Sequence, residues 1–185
     1  MLICCKSILL GDSRVGKSTF LRNVAEEGGP APSETIGIDF RFVPNIPNAR
    51  VMMWDVSGRE LFRPIVKPHY HHTHVVFFVY DVSKRASFLN IPLWYQEYQT
   101  VATPMTMVLI ANQRNPPMVD SIEGLALAKQ MGMQFVEMDV LTGDTHWVRT
   151  LFLNVLPLLK SPAPKNVLLN KTTQRRCFAS WVITI

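Results

Sequence analysis

Cysteine is scarce in this chain. Cys4, Cys5 and Cys177 are too few and too unevenly placed for a disulfide framework, and they fit a reducing compartment. No run approaches the ~20 apolar residues that a membrane span requires. The apolar opening from Met1 to Cys5 is broken by Lys6 and runs on into a glycine loop, so it reads as a strand and not a signal peptide. Acidic residues are absent from position 160 onward. The cations in that stretch, Lys160, Lys165, Lys171, Arg175 and Arg176, equal the whole net charge of +5. The remainder is close to neutral, which removes the case for nucleic acid binding. A basic tail of this kind faces water or makes weak contact with an acidic membrane surface. There is no internal repeat and no long polar tract. With 48% hydrophobic and 18% charged residues, 185 residues suffice for one globular domain with a substantial core.

What the chain does have begins at residue 11. Gly11-Asp12-Ser13-Arg14-Val15-Gly16-Lys17-Ser18, followed by Thr19, matches G-x-x-x-x-G-K-[ST], with an apolar run before it and a helical pattern after it. Two glycines let the backbone curl so that successive N–H groups point at a polyphosphate. Lys17 can neutralise phosphate charge, the Ser18 hydroxyl can ligate Mg²⁺, and the helix start adds its positive dipole end. Arg14 stands inside this loop, where it either adds charge to the phosphates or points outward.

Strands are expected at 2–10, 38–43, 50–55, 75–81, 107–112 and 134–138. Helices are expected at 18–25, 88–100, 122–131 and 146–159. Residues 28–33, rich in Gly and Pro, cannot continue a helix. Strands interleaved with helices imply a mostly parallel sheet covered on both faces. At the end of the third strand, Asp55 can hold Mg²⁺ through water, and Gly58 can turn its N–H toward a γ-phosphate. Thr35, between these two elements, can supply a second hydroxyl to the metal from a mobile loop.

These elements together resemble the small GTPases of the Ras superfamily, and the Rab branch above all. The resemblance is carried by residues 11–19, by Thr35 to Phe40, by Trp54 to Phe62, by 80–88 (Tyr-Asp-Val-Ser-Lys-Arg-Ala-Ser-Phe) and by the strand at 107–112. It covers roughly residues 1–160 and leaves 161–185 as a flexible basic tail. It implies an α/β fold of the P-loop NTPase class, a small G domain with a six-stranded mostly parallel sheet flanked by five helices. Thr35 would lie in switch I, and residues 55–70 would form switch II. The implied activity is a switch in vesicle and membrane traffic that binds GTP or GDP with Mg²⁺. Effector and regulatory proteins would read Thr35 to Phe40 and Trp54 to Tyr70. The implied place is cytoplasmic, peripheral at endomembranes.

Several positions depart from the family pattern. Arg59 replaces the Gln that positions the attacking water. Gln offers an acceptor and donors, whereas guanidinium only donates, so slow hydrolysis is expected. The base-reading motif is Asn112-Gln113-Arg114-Asn115, where the family has Asn-Lys-x-Asp. Asn115 lacks the charged carboxylate that accepts from two guanine N–H groups, so it reads guanine less well or suits a base with a carbonyl at that edge, such as xanthine. Gln113 lacks the charge and long stem of Lys. The run 137–141 replaces the family's Ser-Ala-Lys stretch, leaving the Val140 N–H to reach the base oxygen. The first switch loop, 26–34, has no aromatic residue to cover a nucleotide, and the turn at 44–48 is shortened. A module that binds partners without efficient turnover is therefore the alternative reading.

His69, His71, His72 and His74 form a dense group that invites a zinc site, but their spacing suits no single helix face and no cysteine lies nearby. Trp54, Phe62 and Tyr70 resemble the aromatic cluster by which Rab effectors read nucleotide state, although Trp54 can equally serve the core. Cys177 is followed by eight residues, so there is no prenylation box, and Arg175-Arg176-Cys177-Phe178 suits either reversible acylation or disorder.

Overall fold

The computed structural model describes residues 2–27, 35–160 and 183–184. The proline-rich part of the first switch loop, and the tail with Cys177 and its basic neighbours, lie outside the described residues.

One apolar strand dictates the architecture. Strand β4 (Val75–Asp81) is buried at every residue, which only a central strand covered on both faces allows. Its odd positions, Val75, Phe77 and Val79, enter one apolar cluster with Phe20, Trp147 and Phe152. Its even positions, Val76, Phe78 and Tyr80, enter a second with Trp94, Tyr98 and Phe135. Strand β1 (Ile3–Leu10) pairs parallel with β4 on one side and with β3 (Ala49–Val56) on the other. Strand β2 (Ile38–Phe42) turns back antiparallel on β3, and β5 (Thr106–Asn112) and β6 (Gln134–Met138) continue the parallel sheet beyond β4. These six strands are those expected. A two-residue strand, β7 (Ile183–Thr184), adds to the edge of β6, completing the order β2-β3-β1-β4-β5-β6-β7.

Helix α1 (Lys17–Val24) follows the glycine loop, and α2 (Arg63–Val66) is a short turn of helix between two 3₁₀ turns. The helix expected at 88–100 is instead two pieces, α3 (Arg85–Leu89) and α4 (Ile91–Gln99). Pro92 has no N–H to donate to the carbonyl four residues back, so the chain restarts at Asn90. Helix α5 (Ser121–Met131) carries a capping box, Asp120 and Glu123, and ends on the left-handed Gly132. Helix α6 (His146–Lys160) closes the fold. Counting the broken α3–α4 as one, five helices flank the sheet. No helix among the described residues is long and apolar enough to cross a membrane.

The parallel strands β1, β4 and β5 all point their carboxyl ends at the same edge, as does β3. Ligand crevices of open α/β sheets form at such an edge.

Candidate functional site

The loop between β1 and α1 is fixed by close approach. Gly16 has φ +105°, and a Cβ there would stand 2.6 Å from the Asn112 amide nitrogen and 2.8 Å from Val140. Arg14 adopts φ 60° without being glycine; its side chain is exposed and its carbonyl accepts from Lys84 Nζ at 3.0 Å. The residue also lines the cleft in front of the loop, so neither of the two readings of Arg14 is decided by its exposure. Lys17 is buried, and its Nζ donates to the carbonyls of Gly11 (2.8 Å) and Asp12 (2.6 Å). Burial lowers its pKa to about 8, against the opposing pull of Asp55 and Asp12.

Three oxygens meet in front of this loop. Ser18 Oγ lies 2.7 Å from Thr35 Oγ1 and 2.5 Å from Asp55 Oδ2, and Thr35 Oγ1 is 2.8 Å from the same Oδ2. They come from the start of α1, the segment before β2 and the end of β3. Burial raises the Asp55 pKa, with Lys17, Ser18 and Thr35 pulling it back down. Asp55 Oδ1 is buried with no hydrogen-bond partner. Two hydroxyls and a carboxylate with an unsatisfied oxygen are the hard-donor chemistry that Mg²⁺ takes, so the residues fit a magnesium-bound polyphosphate. Gly58 presses on the loop from the other side; a Cβ there would stand 2.3 Å from the Asp12 carbonyl carbon and the Ser13 nitrogen. The cleft is lined by Ser13, Arg14, Lys17, Thr19, Thr35, Gly58 and Arg114, among others.

The Asp12 side chain does not face the cleft. Its two oxygens accept from Asn90 Nδ2 and Trp94 Nε1, both at 2.8 Å. Sequence reasoning missed this because the partners lie 78 and 82 residues away. The signal available was an Asn and a Trp one turn apart on one helical face.

On the base side Asn112, Gln113 and the Val140 N–H are engaged within the protein. Asn112 is fully buried, donating to the Val15 carbonyl (2.8 Å) and accepting from the Val140 N–H (3.2 Å). The N–H expected to reach a base oxygen is therefore engaged by Asn112, as part of a brace between the glycine loop, β5 and the loop after β6. Gln113 Nε2 turns to Glu137 Oε1 at 3.1 Å, while Arg114 and Asn115 are exposed.

Arg59 is exposed, its guanidinium 6.0 Å from the centre of the Phe62 ring, and its N–H donates to Ser57 Oγ at 3.4 Å. The aromatic cluster differs from the expected one. Tyr70 is fully buried, its hydroxyl donating to Glu97 Oε1 at 3.0 Å, so it cannot present a reading surface. Phe40 takes its place at the surface, stacked on Trp54 at 5.1 Å, with His69 on Trp54 at 5.4 Å and Phe42 against Phe40. The antiparallel pairing of Phe40 with Trp54 across β2 and β3 brings them together. The histidines form no metal site. His74 Nδ1 accepts the Lys6 N–H at 3.0 Å, and no cluster of His, Cys, Asp or Glu able to hold a metal occurs among the described residues.

A glycine loop after the first strand, a triad of two hydroxyls and a carboxylate in front of it, and Gly58 against the loop, on this sheet, are the arrangement of a small G domain. The sequence profile of the Ras family matches residues 6–160, and the chain belongs to that family. Its relatives are of the Rab branch. It is 31% identical to Ras-related protein SEC4 of Saccharomyces cerevisiae, over 88% of this chain and 78% of that protein. It is 33% identical to Ras-related protein Rab-18-B of Danio rerio, over 78% of this chain and 74% of the relative. It is 29% identical to Ras-related protein RABA6b of Arabidopsis thaliana, over 89% and 75%.

Proposed function

We propose that this protein binds GTP and GDP with Mg²⁺ and works as a Rab-like switch in vesicle and membrane traffic, with slow intrinsic hydrolysis. The observation that carries the reading is the meeting of Ser18, Thr35 and Asp55 oxygens beside the buried Lys17. Lys17 would leave the Gly11 and Asp12 carbonyls for phosphate oxygens, and Ser18, Thr35 and Asp55 would hold the metal. The loop backbone from Ser13 to Thr19 would cradle the phosphates, with Gly58 donating from the opposite side. A bound Mg²⁺ would neutralise charge developing between the phosphoryl groups. Arg59 has donors only and cannot accept from an attacking water, which supports slow turnover. Partner proteins would read Thr35 to Phe40 with Trp54 and His69, where exposed Ile36, Phe40, Leu61 and Ile65 offer an apolar face. The switch domain would be residues 1–160, with 161–185 a basic appendage able to contact an anionic membrane.

A second reading, a partner-binding module with little nucleotide turnover, is favoured by the base side alone. There Gln113 is tied to Glu137 and the Val140 N–H to Asn112. Mass spectrometry of nucleotide carried through purification separates the two. GDP or GTP in wild type and none in Lys17→Ala is the expected result. Equal binding of labelled GTP and GDP by both proteins would overturn the phosphate-loop assignment.

A further inference from the structure

Asp12 serves three neighbours at once. Its main-chain carbonyl accepts from Lys17 Nζ at 2.6 Å, and its carbonyl carbon lies under Gly58. Its carboxylate accepts from Asn90, the N-cap residue of α4, on one oxygen and from Trp94 of α4 on the other. A carboxylate held by two donors fixes the peptide it belongs to, so α4 sets where the acceptor of the Lys17 ammonium stands.

Trp94 is itself loaded from switch II. The Arg63 guanidinium lies over its ring, 4.6 Å from the centroid, while the indole N–H points at Asp12. Trp94 is 1% exposed, while the Arg63 side chain over its ring keeps 29% of its surface in water. A cation over the ring face withdraws electron density from the indole and makes its N–H a better donor. Arg63 is anchored in turn by Glu97, one turn beyond Trp94, with Nη1 to Oε2 at 2.6 Å. The other oxygen of Glu97 accepts from Tyr70, at the far end of switch II. The middle of switch II, at Arg63, and its far end, at Tyr70, are thus fastened to α4 at Trp94 and Glu97.

We propose that Trp94 is a positioning residue that couples switch II to the phosphate loop through Arg63 and Asp12, by a route that contains no nucleotide. When Arg63 leaves the ring, the Asp12 tether weakens and the Lys17 carbonyl cradle loosens. By reciprocity, a phosphate loop drawn away from α4 releases Arg63 and the segment that carries it. The inference rests on the nucleotide-binding reading only in naming the loop.

Amide hydrogen exchange on the ligand-free protein tests it without relying on that reading. Arg63→Ala should raise exchange at residues 12–16 at least threefold, although Arg63 lies on another segment. Asp12→Asn should do the same at residues 60–70. The double variant should fall well short of the product of the two single effects, and Arg63→Lys, which keeps a cation over the ring, should restore most of the protection. Trp94→Phe keeps the ring but removes the N–H and should match Asp12→Asn at the phosphate loop, which covers the case where Arg63→Ala fails to fold. Unchanged exchange at 12–16 in folded Arg63→Ala and Trp94→Phe would overturn the coupling, as would independent, multiplicative effects. If no variant or wild type binds nucleotide but the exchange pattern holds, the functional reading fails and the coupling stands.

Discussion

Lys17 gives a sharp quantitative handle, because its amine is held where charge is costly. Burial lowers its pKa from 10.5 to about 8, the nearby Asp55 and Asp12 only partly opposing it. A bound polyphosphate supplies the missing counter-charge and should restore the ammonium. At pH 7.5 an amine of pKa about 8 is roughly three-quarters protonated, and at pH 9 roughly one-tenth. Binding should then take up about 0.25 proton at pH 7.5 and about 0.9 at pH 9. Calorimetry of Mg²⁺-GDP binding in buffers of different ionisation enthalpy reads that number directly. Lys17→Arg keeps the charge without titrating, so it subtracts protons taken up by the ligand itself. Should the arginine variant not bind, wild-type affinity falling nearly tenfold per pH unit above 8 carries the same information. For the ligand-free fold the sign is opposite to that of a stabilising salt bridge. The unfolded chain binds the extra proton between pH 8 and 10.5, so the Lys17 contribution to stability rises with pH across that window. Equal proton uptake by wild type and Lys17→Arg at pH 9 would refute the reasoning that Lys17 gains a proton when the polyphosphate binds.

Asn115→Asp supplies the charged acceptor that the base-reading loop lacks, and it should tighten GTP binding by on the order of 1.5–3 kcal/mol. No gain in affinity would sink the contact between residue 115 and the base. Arg59→Gln restores an acceptor for water and should raise single-turnover GTP hydrolysis, compared at saturating nucleotide so that weak binding is not mistaken for slow chemistry. Wild type already hydrolysing as fast as the Gln variant would mean that another group positions the water.

Much of the sheet was legible because central parallel strands are apolar at every position, as β4 is, while helices announce themselves by caps such as Asp120 with Glu123. The single helix expected at 88–100 misses the break at Asn90, although Pro92 encodes it, since an imino nitrogen cannot serve a helix interior. The meeting of Ser18, Thr35 and Asp55 was visible because each sits at a fixed step within its own short motif, and the fold merely brings the motifs together. The burial of Tyr70 was not visible, because its cover comes from Glu97 and Tyr98 on α4 and nothing near residue 70 encodes them. The same holds for Asp12, whose local context is the phosphate loop and whose carboxylate belongs to a helix far along the chain. Phe40 falls within the partner-facing segment expected from the sequence but not within the expected aromatic cluster, because only the pairing of β2 with β3 puts it on Trp54.

The two sides of the cleft point to different kinetics. On the phosphate side Ser18, Thr35 and Asp55 stand within 2.8 Å of one another with an oxygen to spare. On the base side Asn112, Gln113 and the Val140 N–H satisfy one another or Glu137. A nucleotide held through its phosphates and weakly through its base dissociates faster, since affinity differences among related complexes reside mostly in the off-rate. On the proposed function, Arg59 would at the same time slow the chemical step. If release outruns hydrolysis, the occupied state follows the ratio of GTP to GDP in the surrounding pool and not a cycle of turnover. The expected outcome is a release rate for labelled GTP that exceeds the single-turnover hydrolysis rate in the same buffer. The double variant Arg59→Gln with Asn115→Asp should invert that order, because it slows release and speeds chemistry together. A wild-type release rate below the hydrolysis rate would return control to turnover and refute the argument from the base side.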